Sequence, residues 1–238
     1  MAEHLLKVEA LEAGYGEVQV LWGVSLAAAR GQLTAIVGAN GAGKTTTLRA
    51  VAGTITPWRG RVLFEGEDVT HLTTHEKSAR GFALVPEGRQ LFSKMTVAEN
   101  LELGAFSKRA AARYAERRDQ VFALFPRLAE RQRQIAGTLS GGEQQMVAIA
   151  RALMSGPDIL IIDELSLGLA PVVVYQLFHT LKALKDAGLT ILLVEQNVHL
   201  ALAVSDYAYV IAEGRLFTEG EATKLSAMPE IRKAYLGL

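Results

Sequence analysis

The chain has 238 residues, half of them hydrophobic, enough for one compact domain with a sizeable core. Twenty-five basic residues balance twenty-five acidic ones, which removes the electrostatic case for nucleic acid or an anionic lipid surface as the main partner. There is no cysteine, so disulfides, cysteine zinc sites and thiol catalysis are excluded. No apolar run approaches the roughly 18 residues of a membrane-spanning helix, and Met1–Ala10 lacks the apolar core and cleavage site of a signal peptide. The expectation is a soluble cytoplasmic chain that meets a membrane only through a partner.

In chain order, Leu5–Ala10 and Val18–Leu26 alternate like strands around turn material at Gly14-Tyr15-Gly16. Thr34–Val37 is a short apolar run leading straight into glycines, and a helical pattern follows from Lys44 to Val51. Arg61–Phe64 and Gly81–Val85 read as strands. From Thr96 to Met154 the pattern is mostly helical and reads as an inserted helical subdomain, about 93–155, within a core formed by 1–92 and 156–238. The basic run Lys108, Arg109, Arg113, Arg117 and Arg118 reads as a solvated helix face. Asp158–Ile162 and Leu189–Val194 are buried strands around an amphipathic helix, Val172–Lys185. Tyr207–Ala212 and Arg215–Thr218 flank the turn Glu213-Gly214, and the tail Ala222–Tyr235 reads as helix. Apolar strands alternating with helices predict an α/β fold with a largely parallel sheet covered on both faces, preceded by an antiparallel β portion.

Gly38-Ala39-Asn40-Gly41-Ala42-Gly43-Lys44-Thr45 matches the P-loop pattern between a strand and a helix. The glycines let successive N–H groups turn inward toward phosphate oxygens, and the following helix adds its positive end. Lys44 reaches the β- and γ-phosphates, the Thr45 hydroxyl binds Mg²⁺, and Thr46 continues the phosphate site. Ile159-Leu160-Ile161-Ile162-Asp163-Glu164 puts two carboxylates at the C-terminal end of a strand, where α/β folds bind ligands. Asp163 is expected to hold Mg²⁺ through water, and Glu164 to act as general base on the attacking water. Together these elements imply ATP and Mg²⁺.

Leu139-Ser140-Gly141-Gly142-Glu143-Gln144-Gln145 opens a helix between those two elements. Ser140 and Glu143 have the spacing of a capping box, and a capped helix start is also an anion site. In the order P-loop, this motif, Asp-Glu strand, the chain closely resembles the ABC ATPases over its whole length. That resemblance implies a P-loop NTPase domain of the ABC type. It implies that Ser140, Gly141, Gly142 and Glu143 bind the ATP held by a facing subunit, and that Tyr15 stacks on adenine. It also implies that Ser166–Ala170 crosses a dimer interface, so that the chain must pair to hydrolyse ATP.

Two positions depart from the family pattern. Glu87, in Val85-Pro86-Glu87-Gly88-Arg89-Gln90, stands where a glutamine usually contacts Mg²⁺ and the attacking water. Gln196, in Val194-Glu195-Gln196-Asn197, stands where a histidine usually contacts the γ-phosphate, while His199 reads as an exposed helix residue. With Ser166-Leu167-Gly168-Leu169-Ala170-Pro171 and the ending Pro229–Gly237, they resemble the F-type ATP-binding subunits of high-affinity branched-chain amino-acid importers. Leu165 departs even from that branch, which generally has proline there. The branch implies a peripheral subunit at the cytoplasmic face of the inner membrane. Its partners would be a second ATP-binding subunit in a heterodimer, permease subunits and, indirectly, an extracytoplasmic solute-binding protein. Arg89, Gln90 and the region around Thr96–Arg118 would form the permease dock. Import of urea or short amides is the nearest alternative. ABC ATPases of DNA repair or translation, which usually carry coiled-coil insertions or two ATPase units, and a non-catalytic module are the other classes.

Overall fold

The computed structural model describes residues 3–231, the side chains of residues 108 and 109 excepted. β1 (His4–Tyr15) and β2 (Val18–Ala29) form a hairpin, and β3 (Leu33–Val37) leads into α1 (Lys44–Ala52). β4 (Arg59–Phe64), β5 (Glu67–Asp68), α2 (Thr74–Ala79) and β6 (Phe82–Val85) follow. A helical block then comprises α3 (Val97–Gly104), α4 (Lys108–Ala111), α5 (Tyr114–Leu124), α6 (Pro126–Glu130) and α7 (Gly141–Met154). The chain next alternates through β7 (Ile159–Asp163), α8 (Pro171–Asp186), β8 (Thr190–Glu195), α9 (Val198–Val204), β9 (Tyr207–Ala212) and β10 (Arg215–Glu221). It continues into α10 (Ala222–Ala227) and α11 (Pro229–Ile231).

Two sheets organise these elements. One is antiparallel, in the order β2-β1-β4-β5, and the other has six strands in the order β10-β9-β3-β8-β7-β6. In the second sheet all neighbours from β9 to β6 run parallel, and β10 closes one edge antiparallel to β9. The period-two alternation of its central strands divides the interior. Ala35, Leu160, Ile162, Ile191 and Leu193 face a core shared with α3, α7, α8 and α9. Ile36, Ile159, Ile161, Leu192 and Val194 face the other core, shared with α1 and the antiparallel sheet. Both faces of the parallel sheet are therefore covered, as its continuous apolar strands require.

Several expectations need correction. β1 runs on to Tyr15 because a bulge at Ala10, which takes φ 47°, absorbs the irregular stretch between Val8 and Leu11. The tail is not one helix: Met228 takes extended geometry before Pro229, so α10 and α11 are separate, and residues 232–235 of the expected helix lie outside the described set. The ending read as branch-like, Pro229–Gly237, is likewise described only to Ile231.

The basic run is not uniformly solvated. Arg117 is 7% exposed and donates to the carbonyls of Met154 and Ser155 at the end of α7, whereas Arg113 and Arg118 pair with Glu116 and Asp119 at the surface. The side chains of Lys108 and Arg109 lie outside the described set.

Candidate functional site

The strand register assembles the site. Val37 pairs with Glu195, Asp163 with Val194, and Val85 with Ile162. The loops leaving β3, β6, β7 and β8 therefore emerge side by side at the C-terminal edge of the parallel sheet, the usual ligand edge of such sheets.

The loop after β3 is shaped by close backbone approach. A Cβ at Gly38 would lie 2.2 Å from the Ile211 carbonyl oxygen, and Gly43, at φ 104°, would drive one into Leu21 at 2.8 Å. Gly43 is the N-cap of α1 but supplies no side-chain cap, and the first turn of α1 holds no acidic residue. By contrast α2, α3 and α7 each begin with a complete capping box, Thr73/Glu76, Thr96/Glu99 and Ser140/Glu143. The N–H groups at the start of α1 are thus without a side-chain cap and sit at the positive end of the helix, which is the condition for holding phosphate.

Lys44 is buried; its Nζ donates to the Ala39 carbonyl at 3.0 Å and lies 3.9 Å from Glu164 Oε1. The Thr45 hydroxyl donates to Asp163 Oδ1 at 3.2 Å. Asn40 and Gly41 are exposed at the loop tip, with Ala42 buried behind them. Tyr15 closes the near side: its hydroxyl is 3.4 Å from Thr46 Oγ1 and accepts from Arg49 at 3.1 Å, while the residue stays 42% exposed.

Glu87 follows β6 and is exposed; it lines a cavity of about 450 Å³ with Asp163, Arg49 and Gln90. Burial pushes the Asp163 carboxyl up to about 6; the Thr45 donor and Arg49 oppose the rise, and the nearby Glu164 and Glu87 charges add to it. Thr45, Asp163 and Glu87 form an oxygen donor set with surplus negative charge, which fits a hard divalent cation such as Mg²⁺. Glu164 stands just past β7 at φ 47°, with its N–H donating to Val194 O at 2.9 Å. Gln196 is exposed beyond β8, next to Asn197, which caps α9. His199 is exposed on α9.

Ser140, Gly141, Gly142 and Glu143 stand apart from this cluster, at the start of α7. Glu143 accepts from the Ser140 N–H at 3.0 Å and from its hydroxyl at 2.7 Å, and pairs with Arg131 at 3.4 Å. Burial pushes the Glu143 carboxyl up, but Ser140, Arg131 and Arg127 outweigh it and leave it below the usual carboxylate range. Among the described residues no hydrogen bond or ion pair joins this motif to the P-loop. Two arginines link α7 instead to the loop after β6. Arg89 donates to Gln144 at 3.3 Å, and Arg151 donates to the Gln90 carbonyl at 3.0 Å while stacking over Phe92.

Sequence reasoning passed over Arg49, Arg151 and Glu195. The four-residue spacing of Arg49 from Thr45 on one helix face was the available signal for the first. Glu195 sat unremarked inside Val-Glu-Gln-Asn, and Arg151 carried no local signal at all.

A family model described as "ABC transporter" matches residues 21–166. The chain is 43% identical over 233 residues to the high-affinity branched-chain amino acid transport ATP-binding protein BraG of Pseudomonas aeruginosa, covering 98% of this chain and 100% of that protein. It is 37% identical to the probable branched-chain amino acid transport ATP-binding protein LivF of Archaeoglobus fulgidus, covering 98% and 99%. The ADP conformation of an ATP-binding cassette of an ABC transporter superposes with a TM-score of 0.85 at 29% identity, over 100% of both chains.

Proposed function

This chain belongs to the ABC transporter family, and from that premise we propose that it is the ATP-hydrolysing subunit that powers import of branched-chain amino acids. The family activity is nucleotide binding and ATP hydrolysis by paired subunits working with membrane permeases. The observation that carries the assignment to this site is the uncapped start of α1 with buried Lys44, set against Asp163 and Glu164 at the end of β7. The substrate rests on the full-length likeness to BraG, together with Glu87 and Gln196 in place of the ordinary glutamine and histidine.

The P-loop N–H groups and Lys44 hold the β- and γ-phosphates, and Tyr15 offers its exposed ring to adenine. Thr45, Asp163 and Glu87 would hold Mg²⁺, which when bound neutralises charge on the phosphates. Glu164 takes the proton of the attacking water, and Gln196 donates a hydrogen bond to the γ-phosphate without bringing a charge. Ser140 to Glu143 serve the nucleotide of the facing subunit, which agrees with their separation from the P-loop here. We read the facing subunit as a different ATP-binding chain, so that the two composite sites are unequal. The permease dock is the apolar cavity of about 500 Å³ lined by Phe92, Leu103, Phe106 and Arg151, beside Arg89 and Gln90 and against the helical block 93–155. Through it the subunit sits at the cytoplasmic face of the membrane, and no helix among the described residues is long and apolar enough to cross one.

The test is uptake of labelled leucine, isoleucine, valine and urea by cells carrying the wild-type chain or Glu164→Gln. Loss of branched-chain uptake alone supports the proposal. Loss of urea uptake with branched-chain uptake intact overturns the substrate, and unchanged uptake of all four overturns the role of Glu164.

A further inference from the structure

Glu195 is the last residue of β8 and is fully buried, an expensive place for a carboxylate without partners. Its two oxygens are both engaged by one residue of the loop after β7. Oε1 accepts the Ser166 N–H at 2.8 Å and Oε2 accepts the Ser166 hydroxyl at 2.9 Å, with the Asn197 N–H at 3.5 Å from Oε2. Burial pushes the carboxyl above the usual range, while the Ser166 and Asn197 donors favour the ionised form.

The tether brackets Glu164. On one side the Glu164 N–H is bound to Val194 O; on the other, two residues on, Ser166 is bound to Glu195. Between them Glu164 holds φ 47°, a left-handed conformation that a non-glycine residue adopts only when its surroundings fix it. Position 165 does not fix it through ring restriction: Leu165 is a buried leucine, and a proline there would push the preceding residue toward extended backbone. The neighbouring groups of β8 therefore supply what the local chain does not.

We infer that Glu195 is a positioning residue for Glu164, its carboxylate gripping Ser166 so that the Glu164 carboxylate stays oriented toward the phosphate site beside Lys44. The inference rests on the reading of Glu164 as the general base. It adds that the conformation of the base is set from β8, by a fully buried residue.

The experiment is single-turnover ATP hydrolysis and equilibrium ATP binding by the full-length chain assembled with a second, facing ATP-binding subunit. Its variants are Glu195→Ala, Glu195→Gln, Ser166→Ala and the Glu195→Ala/Ser166→Ala double. Misplacing a reacting group by about 1 Å costs on the order of a hundredfold in rate, so Glu195→Ala is expected to slow hydrolysis at least tenfold, with ATP affinity held within about threefold. Glu195→Gln, whose amide oxygen still accepts from Ser166, recovers most of the rate, and the double variant is no slower than Glu195→Ala. If Glu195→Ala does not fold, Ser166→Ala reads the same tether from its half-buried end, with a smaller fall in rate and unchanged affinity. Undiminished rates in these variants, affinity falling in step with rate, or no rescue by glutamine each overturn the inference. Glu164→Gln separates the two readings. If it leaves hydrolysis intact, the base assignment fails; if it abolishes hydrolysis while Glu195→Ala and Ser166→Ala do not slow it, only the positioning role fails.

Discussion

Lys77 makes the P-loop helix sensitive to alkaline pH in a way that can be measured. It projects from α2 into the interior, fully buried, and donates to Val51 O at 2.7 Å and Ala50 O at 3.4 Å, carbonyls at the C-terminal end of α1. Burial lowers its pKa from the ordinary 10.5 to about 8, with the Asp68 charge opposing. In the folded state the proton leaves near pH 8; in the unfolded chain it stays until 10.5. Between those values the unfolded state binds more protons, so stability rises with pH across that window and is flat with respect to this group below it. At 1.36 kcal/mol per pH unit the gap is worth about 3 kcal/mol. The carbonyls and the negative end of the α1 dipole favour the ammonium form, which makes that figure an upper bound.

Lys77→Met removes the titration and keeps the volume. At neutral pH the relief of a buried charge offsets the Val51 carbonyl losing its donor, itself worth about 1–3 kcal/mol, so the two proteins should lie within about 1 kcal/mol of each other. From pH 8 to 10.5 the wild type should gain up to about 3 kcal/mol over the variant, because the neutral amine still donates. Urea unfolding of both proteins at half-unit intervals from pH 7 to 10.5 reads the difference directly. A flat difference, or wild type losing ground as pH rises, would show that the carbonyls outweigh burial and refute the reasoning.

Three other outcomes are expected. Glu87→Gln combined with Gln196→His should raise the ATPase rate of the chain assembled with a second ATP-binding subunit, by removing a negative charge near the γ-phosphate and adding a protonatable donor; an unchanged or lower rate counts against the proposal that the two composite sites are unequal because of these residues. Tyr15→Ala should weaken ATP binding by about tenfold, from a stacking contribution of about 1–3 kcal/mol, while Tyr15→Phe stays near wild type. Titration with a fluorescent ATP analogue separates ring from hydroxyl. Arg117→Met should destabilise the protein by about 2 kcal/mol, since it strips donors from two carbonyls at the end of α7; guanidinium unfolding checks it, and a change under about 0.5 kcal/mol would mean water replaces the guanidinium.

The legible parts of this protein were those written in local pattern. Buried strands such as Ile159–Asp163 and Thr190–Glu195 announced themselves as apolar runs because both faces of the parallel sheet are covered. The P-loop and the Ser140–Glu143 cap were legible because backbone chemistry demands particular residues at particular spacings. Short α2, with Thr73 and Glu76 at its start, carried the same capping signal, yet its six residues are too few for an apolar periodicity to show.

What stayed hidden shares one physical cause. Arg117, Lys77, Arg151 and Glu195 are charged residues that reach backbone groups or a serine in distant segments. A pattern of apolar and polar positions assigns every charge to solvent, since burying one unpaired costs far more than a fold can spare. Helix C-termini and loop turns present unsatisfied carbonyls and N–H groups, however, and a long charged side chain reaching one of these is satisfied while buried. Such sites depend on which helix end faces which side chain, a tertiary fact with no local spelling. Here the hidden charges cluster where segments of the nucleotide site must keep their places. Lys77 fastens the end of the P-loop helix, Arg151 the loop bearing Glu87, and Glu195 the turn bearing Glu164. The residues proposed to touch ATP are thus written in motifs, while those that hold the motifs in register are written only in the fold.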